Sequence, residues 1–287
     1  MTCNDFDYYA PEWCPGCGNF DILESVKQAL CDLQLKPHQI IIVMGIGQAS
    51  KLGFSVKANI FNGLHGRSLP LALGVKMANH DAKVIASAGD ADFYAEGGNH
   101  LIHNLRRNLD VTILAGSNRV FGLTKGQAGP TANSQYSTSI HVDGVGAQPV
   151  HPTLLALSAG ATFVAKAFSG NREELTELVK QAIQHRGAAL VDIMFPCVTF
   201  NRLNTFAWFK QRATPISPGH DVTNLEAAIK LAMQDMQDGD HIPTGLYYKV
   251  ERPVFGDNLT AQQGEPIVKR TANYTPERVR PLFKLFR

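Results

Sequence analysis

Two polar residues at the ends of apolar runs have the types and the spacing of a divalent cation site. Asp90 ends the run KVIASAGD (83–90), and Asn118 ends the run DVTILAGSN (110–118). Because the carboxyl ends of parallel strands meet at one edge of a sheet, we expect both side chains at the same edge. Mg²⁺ prefers oxygen ligands and completes its shell with water and phosphate oxygens. The sequence therefore predicts that Asp90, Asn118 and the backbone carbonyl of Val120 hold Mg²⁺ beside a diphosphate.

Four glycines accompany these residues in the sequence. They are Gly89, Gly97, Gly98 and Gly122. Glycine lets the backbone approach a phosphate closely, and the N-terminus of a following helix favours the negative charge of the phosphate. Both features support a diphosphate-binding role for this part of the chain.

A second group of reactive residues lies in the segment EWCPGCGNF, residues 12–20. Cys14 and Cys17 flank a Pro-Gly turn that points both sulfurs into one small volume. Such a pair suits a metal ion, an iron–sulfur cluster or a redox-active dithiol, and the pair alone does not choose among them. The chain has five cysteines, an odd number that favours ligation over a disulfide framework.

The composition excludes several classes of protein. The chain has 287 residues, 44% of them hydrophobic, so it can bury the core of one large domain or two small ones. No apolar run approaches the roughly 18 residues that cross a membrane, and the segment MTCNDFDYYAPEW lacks signal-peptide character, so we expect a cytoplasmic protein with no membrane association. A net charge of +2 with scattered signs argues against nucleic-acid binding.

Alternating strand-like and helix-like segments must position the reactive residues. Continuous apolar runs predict buried strands at 39–45, 83–90, 110–118 and 188–196. Helical periodicity is typical of 20–33, 97–108, 171–183 and 225–236. This alternation predicts an α/β fold, a mostly parallel twisted sheet with helices on both faces. We divide the chain into an α/β domain at 1–200, which carries both candidate sites, and a C-terminal extension at 201–287, which packs on that domain or on a partner subunit.

Several motifs together resemble one enzyme family. In chain order they are WCPGCG, LHGRSLPLALG, GDAD, GGNH, RRN, GLTKGQ, PCVTFN and IPTG. Over most of residues 10–255 the chain is similar to the thiamine-diphosphate-binding β subunits of 2-oxoacid:ferredoxin oxidoreductases, and TKGQ resembles the branch that acts on 2-oxoglutarate. The resemblance implies the thiamine-diphosphate-binding fold and a reaction that turns 2-oxoglutarate and coenzyme A into succinyl-CoA and CO₂, or its reverse. It also implies that electrons pass through a [4Fe-4S] cluster to ferredoxin.

The resemblance assigns roles to individual residues. The residues implied to contact thiamine diphosphate are Ile46, Gly47, His65, Gly89, Asp90, Ala91, Asp92, Asn118, Val120, Gly122, Leu123 and Thr124. The residues implied in catalysis are His65, Arg67, Lys51 and Lys125. His65 is implied to lie beside the thiazolium ring, where it steadies developing charge. The two lysines suit the distal carboxylate of the substrate.

Two positions depart from the family pattern. Ala91 stands where the GDG motif has its second glycine. Gln48, in GIGQAS, stands where the family has a cysteine ligand of the cluster; the other three ligands match Cys14, Cys17 and Cys197. An amide oxygen is a poor ligand for iron. A four-iron cluster with an atypical ligand, a three-iron cluster, a labile cluster and a zinc ion therefore stay open.

The remaining two cysteines have different expected roles. Cys3, near the N-terminus, is a candidate for the missing cluster ligand. Cys31 lies within the first predicted helix, where a free cysteine is usually a small core residue.

The resemblance also implies partners. The carboxylate that activates thiamine comes from an α subunit in this family, so we expect an α₂β₂ assembly and an isolated chain that is inactive. Ferredoxin, coenzyme A and the 2-oxoacid complete the set of partners. Two alternatives stay open: a thiamine-dependent decarboxylase or carboligase without redox function, and a non-catalytic assembly subunit that has lost its cluster.

Overall fold

An eight-stranded sheet organises the chain, of which a computed structural model describes residues 3–236, 241–271 and 275–284. The strands are β1 (Ile40–Met44), β2 (Asn59–Asn62), β3 (Lys83–Gly89), β4 (Val111–Ser117), β5 (Val120–Phe121), β6 (Gln127–Ala128), β7 (Phe163–Phe168), β8 (Ala188–Met194), β9 (Ala213–Pro215) and β10 (Ile242–Lys249). The large sheet has the order β2-β1-β3-β4-β8-β7-β10-β9, and β5 and β6 form a separate hairpin. Neighbours in the large sheet are parallel except β7 and β10. The predicted mostly parallel sheet is confirmed.

Helices cover both faces of this sheet. They are α1 (Asn19–Asp32), α2 (Leu52–Ser55), α3 (Ser68–Ala78), α4 (Gly98–Arg106), α5 (Pro152–Ser158), α6 (Arg172–Gln184), α7 (Phe206–Arg212), α8 (Leu225–Met236) and α9 (Pro276–Phe283). Shorter turns are the π-helical Ala91–Glu96 and the 3₁₀ turns Cys3–Phe6, Pro37–Gln39, Gln48–Lys51, Thr260–Gln262 and Ile267–Lys269.

Two apolar cores, one on each face, hold the layers together. Helices α1 and α6 pack on one face with residues such as Leu30 and Val179. Helices α3, α4, α5 and α8 pack on the other with residues such as Leu105 and Ala228. Burial of one such leucine or valine contributes roughly 1.5–3 kcal/mol. The predicted helices on both faces are therefore confirmed.

Residues after 200 contribute to the same sheet. Strand β10 was not predicted, because Pro243 and Gly245 interrupt its apolar pattern. Past β10 the chain packs against its own domain. Asn108 Nδ2 donates to the carbonyl of Arg252 at 3.1 Å, and Lys269 pairs with Asp81 at 2.7 Å. The division at residue 200 and the contact of this segment with a partner stay predictions.

No helix in the described ranges combines the length and the apolar character that a membrane span requires. The loops that carry the candidate site all leave the carboxyl edge of the sheet. They follow β2, β1, β3, β4 and β8, which lie next to one another in that order in the sheet. This adjacency brings together residues that are up to 150 positions apart in the sequence.

Candidate functional site

A cavity of about 560 Å³ opens at the carboxyl edge of the sheet. Every residue that the resemblance implies for cofactor binding lines it: Ile46, Gly47, His65, Gly89, Asp90, Ala91, Asp92, Asn118, Val120, Gly122, Leu123 and Thr124. We call it the cofactor cavity. Contact of these residues with a cofactor stays a prediction, but the fold gathers all of them around one space.

Asp90 is a buried carboxylate at the base of this cavity, with only 2% of its surface exposed. Its Oδ2 accepts hydrogen bonds from the Thr131 hydroxyl at 2.5 Å and from the Arg119 backbone N–H at 3.2 Å. Its Oδ1 accepts from the Ala91 N–H at 3.0 Å. Burial raises the pKa of Asp90 to about 6, against the lowering effect of these hydrogen bonds. A cation at Asp90 would favour the charged carboxylate.

Asn118 lies beside Asp90, because the residue that follows Asn118 in the chain, Arg119, donates its backbone N–H to the Asp90 carboxylate. The Asn118 side-chain oxygen accepts from the Val120 N–H at 3.0 Å. Asp90 Oδ1 and the Asn118 amide oxygen each accept one of these bonds, and an oxygen of either kind can accept a second. This oxygen-rich set fits the preference of Mg²⁺.

Asp92 binds two loops of the cavity wall to the turn that follows β3. Its Oδ1 accepts from the backbone N–H groups of Ile46 at 3.1 Å and Gly66 at 2.8 Å, and its Oδ2 accepts from the Ser68 hydroxyl at 2.9 Å. A side chain at position 45 would overlap the Asp92 carboxylate, so Gly45 is required for this approach. The Asp92 carboxylate thereby fixes the loops that carry Gly47 and His65.

A second cavity, of about 800 Å³, contains three cysteines. Cys14, Cys17 and Cys197 line it together with Gln48. We call it the cysteine cavity. Five residues line both cavities: Gln48, Asn118, Gly122, Leu123 and Phe195. The two cavities therefore share a wall.

Two of the three cysteines in the cysteine cavity accept hydrogen bonds at sulfur. The Cys14 sulfur accepts from the Thr199 hydroxyl at 3.2 Å, and the Cys17 sulfur accepts from Asn19 Nδ2 at 3.5 Å. Burial raises the pKa of Cys17, and the other two thiols add to this effect. Within the described residues, no three His, Cys, Asp or Glu side chains converge closely enough for a single metal ion. Binding of a metal ion or a cluster by these three cysteines stays a prediction.

Gln48 shows an unsatisfied polar atom in this region. Its side-chain Oε1 is buried and has no hydrogen-bond partner among the described residues. A buried amide oxygen without a partner costs about 1–3 kcal/mol, which a bound group in the cavity would offset. Gly122 lies between the two cavities, where a Cβ would contact the Cys197 sulfur at 3.6 Å and Asn118 Nδ2 at 3.9 Å.

Three residues implied in catalysis lie outside the lining of the cofactor cavity. Lys51 lines a separate cleft with Tyr9 and Phe54. Lys125 lines the cysteine cavity and has a left-handed backbone, with φ of +76°. Arg67 is exposed, with its Nη1 3.4 Å from His100 Nε2. Of the four residues implied in catalysis, only His65 lines the cofactor cavity. The catalytic roles of Lys51, Arg67 and Lys125 stay predictions.

The two remaining cysteines lie away from the cysteine cavity. The Cys3 sulfur donates to Gln28 Oε1, on α1, at 3.5 Å. A hydrogen bond with Cys31 is the main factor that raises the pKa of Cys3 to about 11. Cys31 is half-buried and packs against the core, as expected. In this arrangement Cys3 is not a ligand of the cysteine cavity.

Sequence reasoning missed part of the cavity wall. The additional lining residues are Ala49, Glu96, Gly116, Phe121 and Phe195. Gly116 and Phe195 lie at the ends of predicted strands, so their positions were a usable signal. Thr131, which donates to Asp90, carries no such signal, because its position depends on the loop that folds back after β6.

The chain is similar to known thiamine-dependent proteins. Residues 44–193 match the family of the thiamine pyrophosphate enzyme C-terminal TPP binding domain, and residues 197–263 match the C-terminal part of the pyruvate ferredoxin oxidoreductase beta subunit. A 2-oxoacid:ferredoxin oxidoreductase beta subunit of Aeropyrum pernix is 40% identical over 263 residues, which are 86% of this chain and 83% of that protein. The 2-oxoglutarate oxidoreductase subunit KorB of Mycobacterium tuberculosis is 44% identical over 189 residues, 66% of this chain and 51% of that protein.

A solved structure is also similar over nearly the whole chain. It is the 2-oxoglutarate:ferredoxin oxidoreductase from Magnetococcus marinus with 2-oxoglutarate, coenzyme A and succinyl-CoA bound. The TM-score is 0.90 at 34% sequence identity, and the match covers 98% of this chain and 96% of that one.

Proposed function

Because the chain belongs to the thiamine-diphosphate-binding β subunits of 2-oxoacid:ferredoxin oxidoreductases, we propose that it acts on 2-oxoglutarate. The reaction is the conversion of 2-oxoglutarate and coenzyme A to succinyl-CoA and CO₂ with reduction of ferredoxin, or its reverse. The observation that carries this proposal is the cofactor cavity, where residues of five loops meet around Asp90 and Asn118. The ligands named for the Magnetococcus marinus structure support the choice of substrate.

Within this proposal, Asp90, Asn118 and the Val120 carbonyl hold Mg²⁺, which binds the diphosphate of the cofactor. Support comes from the buried Asp90 carboxylate and from the close approach of Gly47 to Gly89, where a Cβ on Gly47 would lie 3.4 Å from the Gly89 Cα. When bound, thiamine diphosphate supplies the electron sink for loss of CO₂ from a 2-oxoacid. The loop residues Gly47, Gly89 and Gly122 leave space for it in the cavity wall. Ala91 also lines this wall, so the departure from GDG leaves the cavity open.

The substrate's distal carboxylate needs a cationic partner. Lys125, in the wall of the neighbouring cavity, and Lys51, in the adjacent cleft, are our candidates, together with Arg67. We also propose that the protein works in the cytoplasm, where its five unbridged cysteines stay reduced.

We expect activity only in the assembly with an α subunit. The partner contributes the carboxylate that activates thiamine, and loss of a general acid or base costs about 10²–10⁴-fold in rate. The test is ferredoxin reduction dependent on 2-oxoglutarate and coenzyme A, measured for this chain alone and for the α₂β₂ complex. Activity of the chain alone at the level of the complex would overturn the partner assignment.

The same complex separates the alternative functions. A complex that binds thiamine diphosphate without reducing ferredoxin would favour the non-redox alternative. A complex that binds no thiamine diphosphate would leave only an assembly role.

The proposed iron–sulfur cluster has Cys14, Cys17 and Cys197 as thiolate ligands, with Gln48 at the fourth position. Because thiolate binds iron better than an amide, we expect Gln48→Cys to slow the loss of iron to a chelator by roughly tenfold. Iron and sulfide per chain, with the visible spectrum before and after reduction, measure the cluster. Gln184→Cys, on the exposed end of α6, adds a thiol elsewhere and serves as the control. Equal rates of iron loss in Gln48→Cys and the unchanged protein would show that position 48 is not a ligand.

A further inference from the structure

A carboxylate in the wall of the cofactor cavity faces the imidazole of His65. Glu96 Oε1 lies 3.0 Å from His65 Nδ1, and both residues line the cavity. The Glu96 side chain is 32% exposed and that of His65 is 72% exposed, so the histidine is the more accessible member. An ionised carboxylate only accepts hydrogen bonds, so Nδ1 must carry the proton that joins the two groups.

The backbone fixes the distance between these two residues. Gly66 has φ of +64°, and a Cβ there would lie 2.5 Å from the carbonyl carbon and oxygen of Glu96. The N–H of Gly66 donates to Asp92 Oδ1 at 2.8 Å, and the N–H of Gly97 donates to the Asp92 carbonyl at 2.7 Å. The residues that follow His65 and Glu96 are thus both bound to Asp92. This close packing holds the two backbone segments next to each other, so rotation of the two side chains alone brings them into contact.

We propose that Glu96 is a positioning residue that fixes the imidazole of His65 with its proton on Nδ1. The other nitrogen, Nε2, then becomes the atom that gains and loses a proton during the reaction. This inference rests on the proposed function, because it gives the pair a role toward a 2-oxoacid. It assigns to Glu96 the part that the carboxylate has in a carboxylate–histidine pair, which is to orient the ring and fix its tautomer.

The proton step has a simple balance. As negative charge develops on the keto oxygen of the substrate, the Nε2–H bond of the imidazolium breaks and an O–H bond forms. The electron pair stays on Nε2, and the neutral imidazole keeps its Nδ1–H bonded to Glu96. Arg67 is the next charged side chain along the loop, and its Nη1 lies 3.4 Å from His100 Nε2.

The tautomer of His65 can be measured without any cofactor. Nitrogen NMR of the full chain labelled with ¹⁵N-histidine reports which ring nitrogen carries the proton. We expect Nδ1–H for His65 in the unchanged chain and a shift toward Nε2–H in Glu96→Ala. Glu96→Gln keeps an acceptor oxygen and should retain Nδ1–H. Glu226→Ala, at an exposed position of α8, is the matched control and should change nothing.

Activity of the α₂β₂ complex gives the second measurement. We expect Glu96→Ala to lower kcat by roughly 10–100-fold with little change in KM, and Glu96→Gln to fall between Ala and the unchanged enzyme. An unchanged tautomer in Glu96→Ala would overturn the proposal, and so would a defect seen only in KM. If the unchanged complex has no 2-oxoacid activity, the proposed function fails, while the tautomer measurement still decides whether Glu96 orients His65.

Discussion

Replacement of Asp90 by asparagine is expected to weaken the binding of thiamine diphosphate with Mg²⁺ by on the order of 10³-fold, about 4 kcal/mol. The variant loses the negative charge that binds Mg²⁺. It also loses one of the two oxygen acceptors that face backbone N–H groups. The carboxylate now accepts from N–H groups on both sides, those of Ala91 and Arg119. An amide in either orientation would place its NH₂ against one of these donors, which costs about 1–3 kcal/mol.

Titration calorimetry of the complex with thiamine diphosphate and Mg²⁺ measures this effect. The matched control is Asp110→Asn, at the opposite edge of the sheet. Asp110 pairs with Lys76 at 2.7 Å and accepts from the Gly187 N–H at 3.2 Å. This control should bind the cofactor normally even if it loses some stability. Unweakened binding in Asp90→Asn, with the fold intact by circular dichroism, would remove Asp90 from the metal site.

Strand prediction succeeded where apolar residues are contiguous and failed where the pattern depends on distant partners. Strands β1, β3, β4 and β8 lie within the predicted runs, because a strand buried on both faces needs apolar residues at every position. Strand β7 was missed because Lys166 interrupts its centre. That lysine is tolerated only because β8 and α8 supply carboxylates, which no local pattern reveals.

The candidate site divides in a similar way. Asp90 and Asn118 could be located because each ends an apolar strand, and the adjacency of β3 and β4 brings them together. Glu96 and Thr131 could not, because their roles are contacts across loops, with His65 and with Asp90 respectively. The sequence also could not predict that Lys51 lies in another cleft. Its position depends on the turn that follows Gly47, whose own φ is +90°.

A buried ion-pair network next to the site should be the most sensitive part of the fold. Lys166 is 4% exposed and Asp192 is 1% exposed. The Lys166 ammonium lies 3.3 Å from Asp192 Oδ2 and also pairs with Asp235, and the Tyr94 hydroxyl donates to Asp192 Oδ1 at 2.9 Å. Burial alone would lower the pKa of Lys166, but Asp235 and Asp192 outweigh this effect and raise it.

Replacement of Lys166 by methionine is therefore expected to lower the free energy of unfolding by about 3–5 kcal/mol, because it leaves two buried carboxylates without a cation. The loss should depend on pH. Burial raises the pKa of Asp192 while Lys166 opposes this effect, so removal of Lys166 raises that pKa further. A carboxyl whose folded pKa lies above its unfolded value holds its proton more tightly in the native state. Stability then falls as the pH rises above about 4, so the defect should be largest at neutral pH and shrink toward acid pH.

Urea unfolding of the full chain at several pH values measures the defect, and two further variants separate its causes. Lys180→Met removes the more exposed pairs with Asp32 and Glu177 and should cost far less stability than Lys166→Met. In Lys166→Met combined with Asp192→Asn and Asp235→Asn, the carboxylate charges are gone while position 192 still accepts from Tyr94, so much of the loss should be recovered. If the triple variant is no more stable than Lys166→Met, the loss of unfolding free energy comes from lost packing around the lysine side chain. Unpaired charge would then not be its cause. A loss in Lys166→Met no larger than that in Lys180→Met would show that the network contributes little to the fold.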